Sequence, residues 1–348
     1  MANLAAYIIR RLILLVFVVI GVTALVFAVS MMFSPEQRAF LYIHNVQEMS
    51  QENLNTTIRT YGLNDPFYLQ YGRWLGQIVQ GNLGYSTVSH MGVLRTIAER
   101  WPYTFEIVMF AAPLIIFLGI YLGVQAAVHR NDPIDHMSRV ASIVGWSLPS
   151  FWVGMLLLAV FFGYLHWFSP GPLSRTFLDY IGAKGSHFIS YTGIDIFDGL
   201  LNGKPEITLD AIRHCVLPVI TIVTIDVALL IRVMRSSMLE SMSKPYITTA
   251  KAKGLSKKAV IYKHARRNAL IPVATLSGML VAGLMGGLVI TETVFSFGGL
   301  GQWAAQSAIL VDMPAVLGYA MLSAVLFVTA NLIVDVLYAY IDPRIRLD

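Results

Sequence analysis

Residues 235–272 read RSSMLESMSKPYITTAKAKGLSKKAVIYKHARRNALIP, a basic stretch set between two apolar runs. It holds nine Lys and Arg against one acid, Glu240. Pro245 suits the first turn of a helix, where a missing N–H costs nothing, and predicts a short helix over 246–253. Gly254 ends it, because glycine takes a positive φ without a Cβ clash. Ser256 caps a second helix that carries Lys257, Val260, Tyr262 and His264. Two short helices joined by a sharp glycine turn should therefore lie along a membrane surface. A basic stretch of this kind attracts anionic lipid. Ala250 stands four residues before Gly254 on the same helical face, and small residues there let another backbone come close. Lipid contact and the docking of a cytoplasmic partner both stay open on these residues alone.

The flanks identify the solvent. Of 348 residues, 56% are hydrophobic and 13% charged, about half the charged share of a soluble domain. The mean hydropathy is +0.64. A soluble globule, a disordered tail and a nucleic-acid binder are all excluded. A bilayer core about 30 Å thick needs roughly 20 apolar residues per helix. Six runs qualify: 12–33, 103–128, 140–167, 215–234, 270–291 and 318–341. Arg10 and Arg11 give the first run the look of a signal peptide. It is longer than an h-region of about 15 residues, so a retained helix is expected. The expectation is an all-α integral membrane protein with six transmembrane helices.

Loop charge sets the orientation. With the N-terminus inside, the inner segments hold sixteen basic residues against five acids, a balance of +11. The outer segments then hold nine against eleven, or −2. Both termini are expected inside. The chain divides into 1–33 (N-terminus and first span), an outer segment over 34–102 and the second and third spans over 103–167. A second outer loop covers 168–214, the fourth span 215–234, the basic inner segment 235–269, and the last two spans and tail 270–348. Within the first outer segment, Phe67, Tyr71, Trp74, Leu75 and Ile78 have helical spacing and predict an amphipathic helix near the interface.

Four acids, Glu106, Asp226, Glu292 and Asp335, fall in or beside spans, where a charge is costly. Asp226 and Asp335 can fix packing by hydrogen bonds to neighbouring helices; Glu106 and Glu292 sit near outer ends, where exposure is cheaper. The same carboxylates could form a proton relay in an ion-coupled secondary transporter, a rival reading that leaves the glycine-turn segment unexplained. Gly119 with Gly123, and Gly283 with Gly287, have the spacing of close helix packing. Residues 295–301, FSFGGLG, have too many glycines for a stable helix and too many aromatics for a solvated loop. Cys215 is the single cysteine and is expected to be a packing residue. No metal-ligand cluster and no nucleophile–base pattern stands out. Gly203-Lys204 is followed by Pro205 and is no phosphate loop, so the chain is not expected to hydrolyse ATP. A non-transporting receptor would need a larger domain outside the lipid than these segments supply.

The stretch from Tyr246 to Pro272 resembles the coupling loop of ABC-importer permeases. Thr248 stands where the general motif has Glu and Thr249 where it has the first Ala, and the gap to Pro272 is longer than usual. Those departures resemble the dipeptide/oligopeptide branch. YGLNDPFYLQYGRWL at 61–75, GNLGYS at 81–86, LPSFWVG at 148–154 and TGIDIFDGLLNG at 192–203 also resemble that branch. So do HCVLP at 214–218, ETVFSFGGLG at 292–301 and DPRIR at 342–346. The resemblance implies a type I ABC-importer permease fold and the first of two permease subunits in a prokaryotic inner membrane. Implied partners are a second permease, two cytoplasmic ATPases that hold ATP and Mg, an extracytoplasmic binding protein and membrane lipid; no cofactor and no nucleic acid are implied for this chain. Thr248, Thr249, Ala250, Ala252, Lys253, Gly254, Leu255, His264, Arg267 and Pro272 would couple it to the ATPases. Ser147, Trp152, Asp226 and Glu292 are candidates for the translocation path, with Phe297 and Trp303 as an outer gate touching the docked binding protein. The substrate would be a di- or oligopeptide, with a nickel chelate or an oligosaccharide as alternatives.

Overall fold

A computed structural model describes residues 4–42, 50–183 and 185–341. The DPRIR tail and the side chain of Asp335 lie outside the described residues. The chain begins with helix α1 (Leu4–Ser30), followed by α2 (Pro35–Ala39), α3 (Gln51–Thr60) and α4 (Phe67–Val79). A small antiparallel hairpin, β1 (Tyr85–Ser86) and β2 (Met91–Gly92), leads into α5 (Val93–Val128). Helices α6 (Pro133–Ser147) and α7 (Ser150–Leu157) follow, the latter continuing as a π-helical turn over Leu158–Tyr164. The second outer loop carries α8 (Arg175–Gly182) and α9 (Asp195–Leu201). Then come α10 (Pro205–Ser243), α11 (Pro245–Ala252), α12 (Lys257–Ala259), a second π turn (Val260–Ala265) and α13 (Arg266–Met285). Helices α14 (Val289–Val294), α15 (Leu300–Ile309) and α16 (Met313–Ile341) complete the chain.

Among the described residues, four helical stretches are long and apolar enough to cross a membrane: Val93–Val128, Pro205–Ser243, Lys257–Val294 and Met313–Ile333. The pair Pro133–Ser147 and Ser150–Tyr164, bent by 96°, makes a fifth, and Val16–Ser30 is a shorter apolar helix. Three expectations change. The run 140–167 is not a straight span. Pro149 has no N–H to donate and disfavours helical geometry at Leu148, whose ψ of 130° turns the chain. The run 270–291 is broken as well, at Gly286–Leu288, where Gly287 takes φ +125°. Finally, α10 is far longer than the run 215–234. Its 39 residues correspond to about 58 Å at 1.5 Å per residue, so it projects into water at both ends, where its polar residues escape a hydropathy window.

The core is the crossing of α5 on α10. A Cβ on Gly119 would lie 2.4 Å from Leu230 Cβ, and one on Gly123 2.6 Å from Met234 Cβ. The first glycine pair thus lets two helices meet at backbone distance, as small residues do in lipid. The second pair behaves differently: Gly283 has only ordinary contact, with Phe327, whereas Gly287 abuts the backbone of Gly301. Cys215 is buried in this core.

The outer segment folds onto the first and last spans. Helix α4 sets Trp74 against Phe27 of α1, ring centroids 5.0 Å apart, and Tyr71 meets the Thr23 hydroxyl at 2.9 Å. The predicted amphipathic helix therefore exists, but its apolar face is covered by α1. Buried Arg38 donates to Gln70, which donates in turn to the Asp65 carbonyl. Asp312 closes this layer from the far end of the chain. Its Oδ2 accepts from the Ser86 hydroxyl at 2.6 Å and the Val88 N–H at 2.9 Å.

Candidate functional site

At the inner end, α11 leaves α10 through Lys244, which is extended (ψ 150°), with Pro245 in the first turn. Gly254 takes φ +72°, and Ser256 accepts from the Ala259 N–H, so both punctuation signals act as expected. Ile247 and Ala250 are buried with Val124, Met238, Val260 and Ile261 at the base of the spans. Here the structure corrects the sequence reading: Ala250 brings α11 close to its own spans and does not offer a small face to another chain. The outward surface instead comprises Thr248, Thr249 and the run from Ala252 to Lys258. Lys253, Gly254 and Leu255 form its tip. Apart from that tip, Arg267 and Pro272 are exposed on α13, and His264 is half-buried in the π turn leading into it.

Two inner charges that the sequence reading counted only for topology prove to be paired. Asp135, fully buried at the start of α6, accepts from Arg235 Nε at 2.6 Å and Nη2 at 2.8 Å. The same carboxylate accepts from the Asn131 N–H at 3.0 Å, fixing a turn in which Asn131 has φ +69°. Arg139 Nε lies 3.7 Å away.

At the other end, Glu292 organises the glycine-rich segment. Its Oε1 accepts from the Thr104 hydroxyl at 2.7 Å and the Leu288 N–H at 3.1 Å; Oε2 accepts from the Gln302 N–H at 2.8 Å. Thr104 in turn accepts from the Leu300 N–H, and Arg100 donates to the Gly298 carbonyl. Gly298 (φ +71°) and the close approach of Gly299 to Glu292 and Thr104 explain the glycines. Phe295, Phe297, Leu300 and Trp303 are buried beneath this turn. Phe297 and Trp303 are thus not placed to touch a docked protein with their own side chains, contrary to expectation. Glu292 is likewise fully buried and so is Glu106, so neither is an acid tolerated through exposure. Glu106 Oε1 accepts from the Ile196 N–H at 2.9 Å, tying α5 to α9.

The remaining path candidates do not converge. Gly145 of α6 meets α10 at Thr224 and Ala228. Asp226, two residues from each, faces away at about 100° per residue. Ser147 returns its hydroxyl to the Ile143 carbonyl, and Trp152 is half-exposed. Asp226 is partly buried and has neither a hydrogen bond nor an ion pair among the described residues, so it fixes no neighbouring helix.

Asp195, in the outer loop, has its carboxyl pushed up to about 6 by burial and, secondarily, by nearby Asp198. The folded protein therefore holds this proton more tightly than the unfolded chain does. The stability gained by protonation is full below the usual Asp range near 4 and is lost as pH rises through about 6. Thermal stability of the purified protein should fall as pH rises from about 4 to 6, and Asp195→Asn should reduce that fall, raising stability at pH 7 by ~3 kcal/mol. An unchanged pH profile in the variant would contradict this account.

Residues 115–347 match the family described as the inner membrane component of binding-protein-dependent transport systems, and residues 4–108 match its N-terminal counterpart. The chain belongs to this family: it is a permease subunit of a binding-protein-dependent ABC importer. It is 35% identical over 331 residues to a probable D,D-dipeptide transport system permease of Escherichia coli, covering 95% of this chain and 94% of that protein. To an oligopeptide transport system permease of Bacillus subtilis it is 36% identical over 344 residues, 99% and 100% of the two chains. A di/tripeptide transport system permease of Pseudomonas aeruginosa is 36% identical over 341 residues, 98% of each.

Proposed function

We propose that this chain forms half of a translocation path for di- and oligopeptides, with six spans and both termini inside a prokaryotic inner membrane. It pairs with a second permease and receives substrate from an extracytoplasmic binding protein. Two cytoplasmic ATPases, which hold ATP and Mg, drive it through the tip at Lys253, Gly254 and Leu255. The observation that carries this reading is the two-sided character of α11. Its Ile247 and Ala250 face is seated on the spans, while Thr248, Thr249 and Ala252 are exposed on the other side. A helix anchored on one side and bare on the other can pass a push from a partner into the membrane. Charge agrees, since +11 gathers on the proposed inner side. The names of the relatives support a peptide cargo over a nickel chelate or an oligosaccharide. Asp226, Ser147 and Trp152 are path-lining candidates on their spans, and the Glu292-held turn is the outer gate.

Cells lacking other peptide uptake routes provide the test. Deleting this chain should reduce uptake of labelled Ala-Ala and Ala-Ala-Ala at least tenfold, with restoration by the intact chain. Normal peptide uptake beside lost nickel or sugar uptake would overturn the cargo. In reconstituted vesicles transport should follow ATP and ignore a proton gradient, the opposite of what a carboxylate relay predicts.

A further inference from the structure

We propose that the Asp135–Arg235 pair is a strut that makes α6 follow α10, carrying movement of the inner helix pair to the outer gate. The inference deepens the coupling reading above and rests on it. Arg235 lies eight residues, about 12 Å, before the end of α10, which a single residue joins to α11. Met234 and Met238, on either side of Arg235 in the chain, are fully buried in one cluster with Val124, Ile247 and Val260, so displacement of α11 is felt by α10 through packed side chains. The carboxylate of Asp135 is gripped by two guanidinium nitrogens in a fork that fixes direction as well as distance. Near the other end of α6, a Cβ on Gly145 would lie 2.7 Å from the Thr224 carbonyl of α10. Helix α6 is thus held to α10 at two places and must turn with it.

What α6 does next is dictated by the 96° break. A rotation of α6 about α10 swings α7 across the membrane, with the Leu148-Pro149 step as the hinge. Helix α7 meets the gate directly: a Cβ on Gly154 would lie 3.1 Å from Val294 and 3.2 Å from the Phe295 ring. The structure therefore contains an uninterrupted series of close contacts, α11 to α10 to α6 to α7 to α14, in which the ion pair is a polar link. Asp135 and Arg235 act in it as positioning residues.

The test follows two movements in the whole complex, with both permeases and both ATPases in nanodiscs. Buried Cys215 is replaced by Ala, and nitroxides are placed in pairs at Met137 with Ile333 and at Lys251 with Ile333; Met137, Lys251 and Ile333 are exposed, on α6, α11 and α16, and Lys251 lies outside the tip itself. Trapping with ATP and vanadate should shift both distances in the unmodified pair. In Asp135→Asn the Lys251 shift should persist while the Met137 shift falls to less than half. Arg235→Lys, which keeps the charge and loses the fork, should do the same and carries the test if the Asn variant does not assemble. Full-sized shifts of both labels in an assembled variant would overturn the strut alone. A Lys251 label that never moves, in a labelled complex that still transports, would overturn the coupling reading and the strut with it.

Discussion

Replacing Gly254 by Val should leave the assembled complex hydrolysing ATP while transport falls at least tenfold. The reason is conformational. A Cβ at this position would meet nothing within 4 Å, so no clash accompanies the change. The cost comes from φ +72°, which for a residue other than glycine is about 1–2 kcal/mol and for a β-branched one more. The chain relieves it by leaving the left-handed region. That releases the bond closing α11 downstream of this position, from the Leu255 N–H to the Ala250 carbonyl. The tip then points elsewhere, while the buried Ile247 and Ala250 face stays in place. Gly254→Asn is the control, because Asn tolerates this region, and it should keep most of the transport. Vesicle uptake measured beside phosphate release decides the matter; normal uptake in the Val variant would remove the tip from the mechanism.

Glu292→Ala should be the most destabilising single change outside the packed core. It strands three donors at once, the buried Thr104 hydroxyl and the partly buried Leu288 and Gln302 N–H groups. Each orphaned donor costs about 1–3 kcal/mol. Together they approach the whole stability of an ordinary domain, about 5–15 kcal/mol. The midpoint of thermal unfolding of the purified complex should fall by about 10 °C or more, or the complex should fail to assemble. Glu292→Gln keeps one carbonyl oxygen for two of the donors and should fall between. A midpoint within 2–3 °C of the unmodified protein, roughly the effect of 1 kcal/mol, would show that the turn is held by something else.

What could be read from the sequence divides along a physical line. The inner helix pair was legible because its signals are local: a proline at the start, a glycine at the turn and a serine cap act within a few residues of themselves. The packing face of α5 at Gly119 and Gly123 was legible for a similar reason, since four-residue spacing marks a face whatever lies opposite; that α10 lies opposite was not. Hydropathy, by contrast, records how apolar a run is and not its direction. The run 140–167 therefore looked like one helix despite the proline that bends it by 96°. Glu292 was visible as an acid beside a span, but its donors come from three separate stretches, one of them 188 residues away. Asp135 and Arg235 are 100 residues apart, and no periodicity joins them. Their pairing exists only once α6 lies along α10.

The bond from Asp312 back to Ser86 and Val88 bears on the order in which the protein is made. The outer layer around Phe27, Tyr42, Trp74 and Tyr85 also draws Met313 and Leu317 into its core. A ribosome adding about 5–20 residues per second releases the first group many seconds before the second. During synthesis this layer stands with one wall missing, and the Ser86 hydroxyl and the Val88 N–H await their acceptor. It closes only once the start of α16 is in place, so the layer that is made first is finished late.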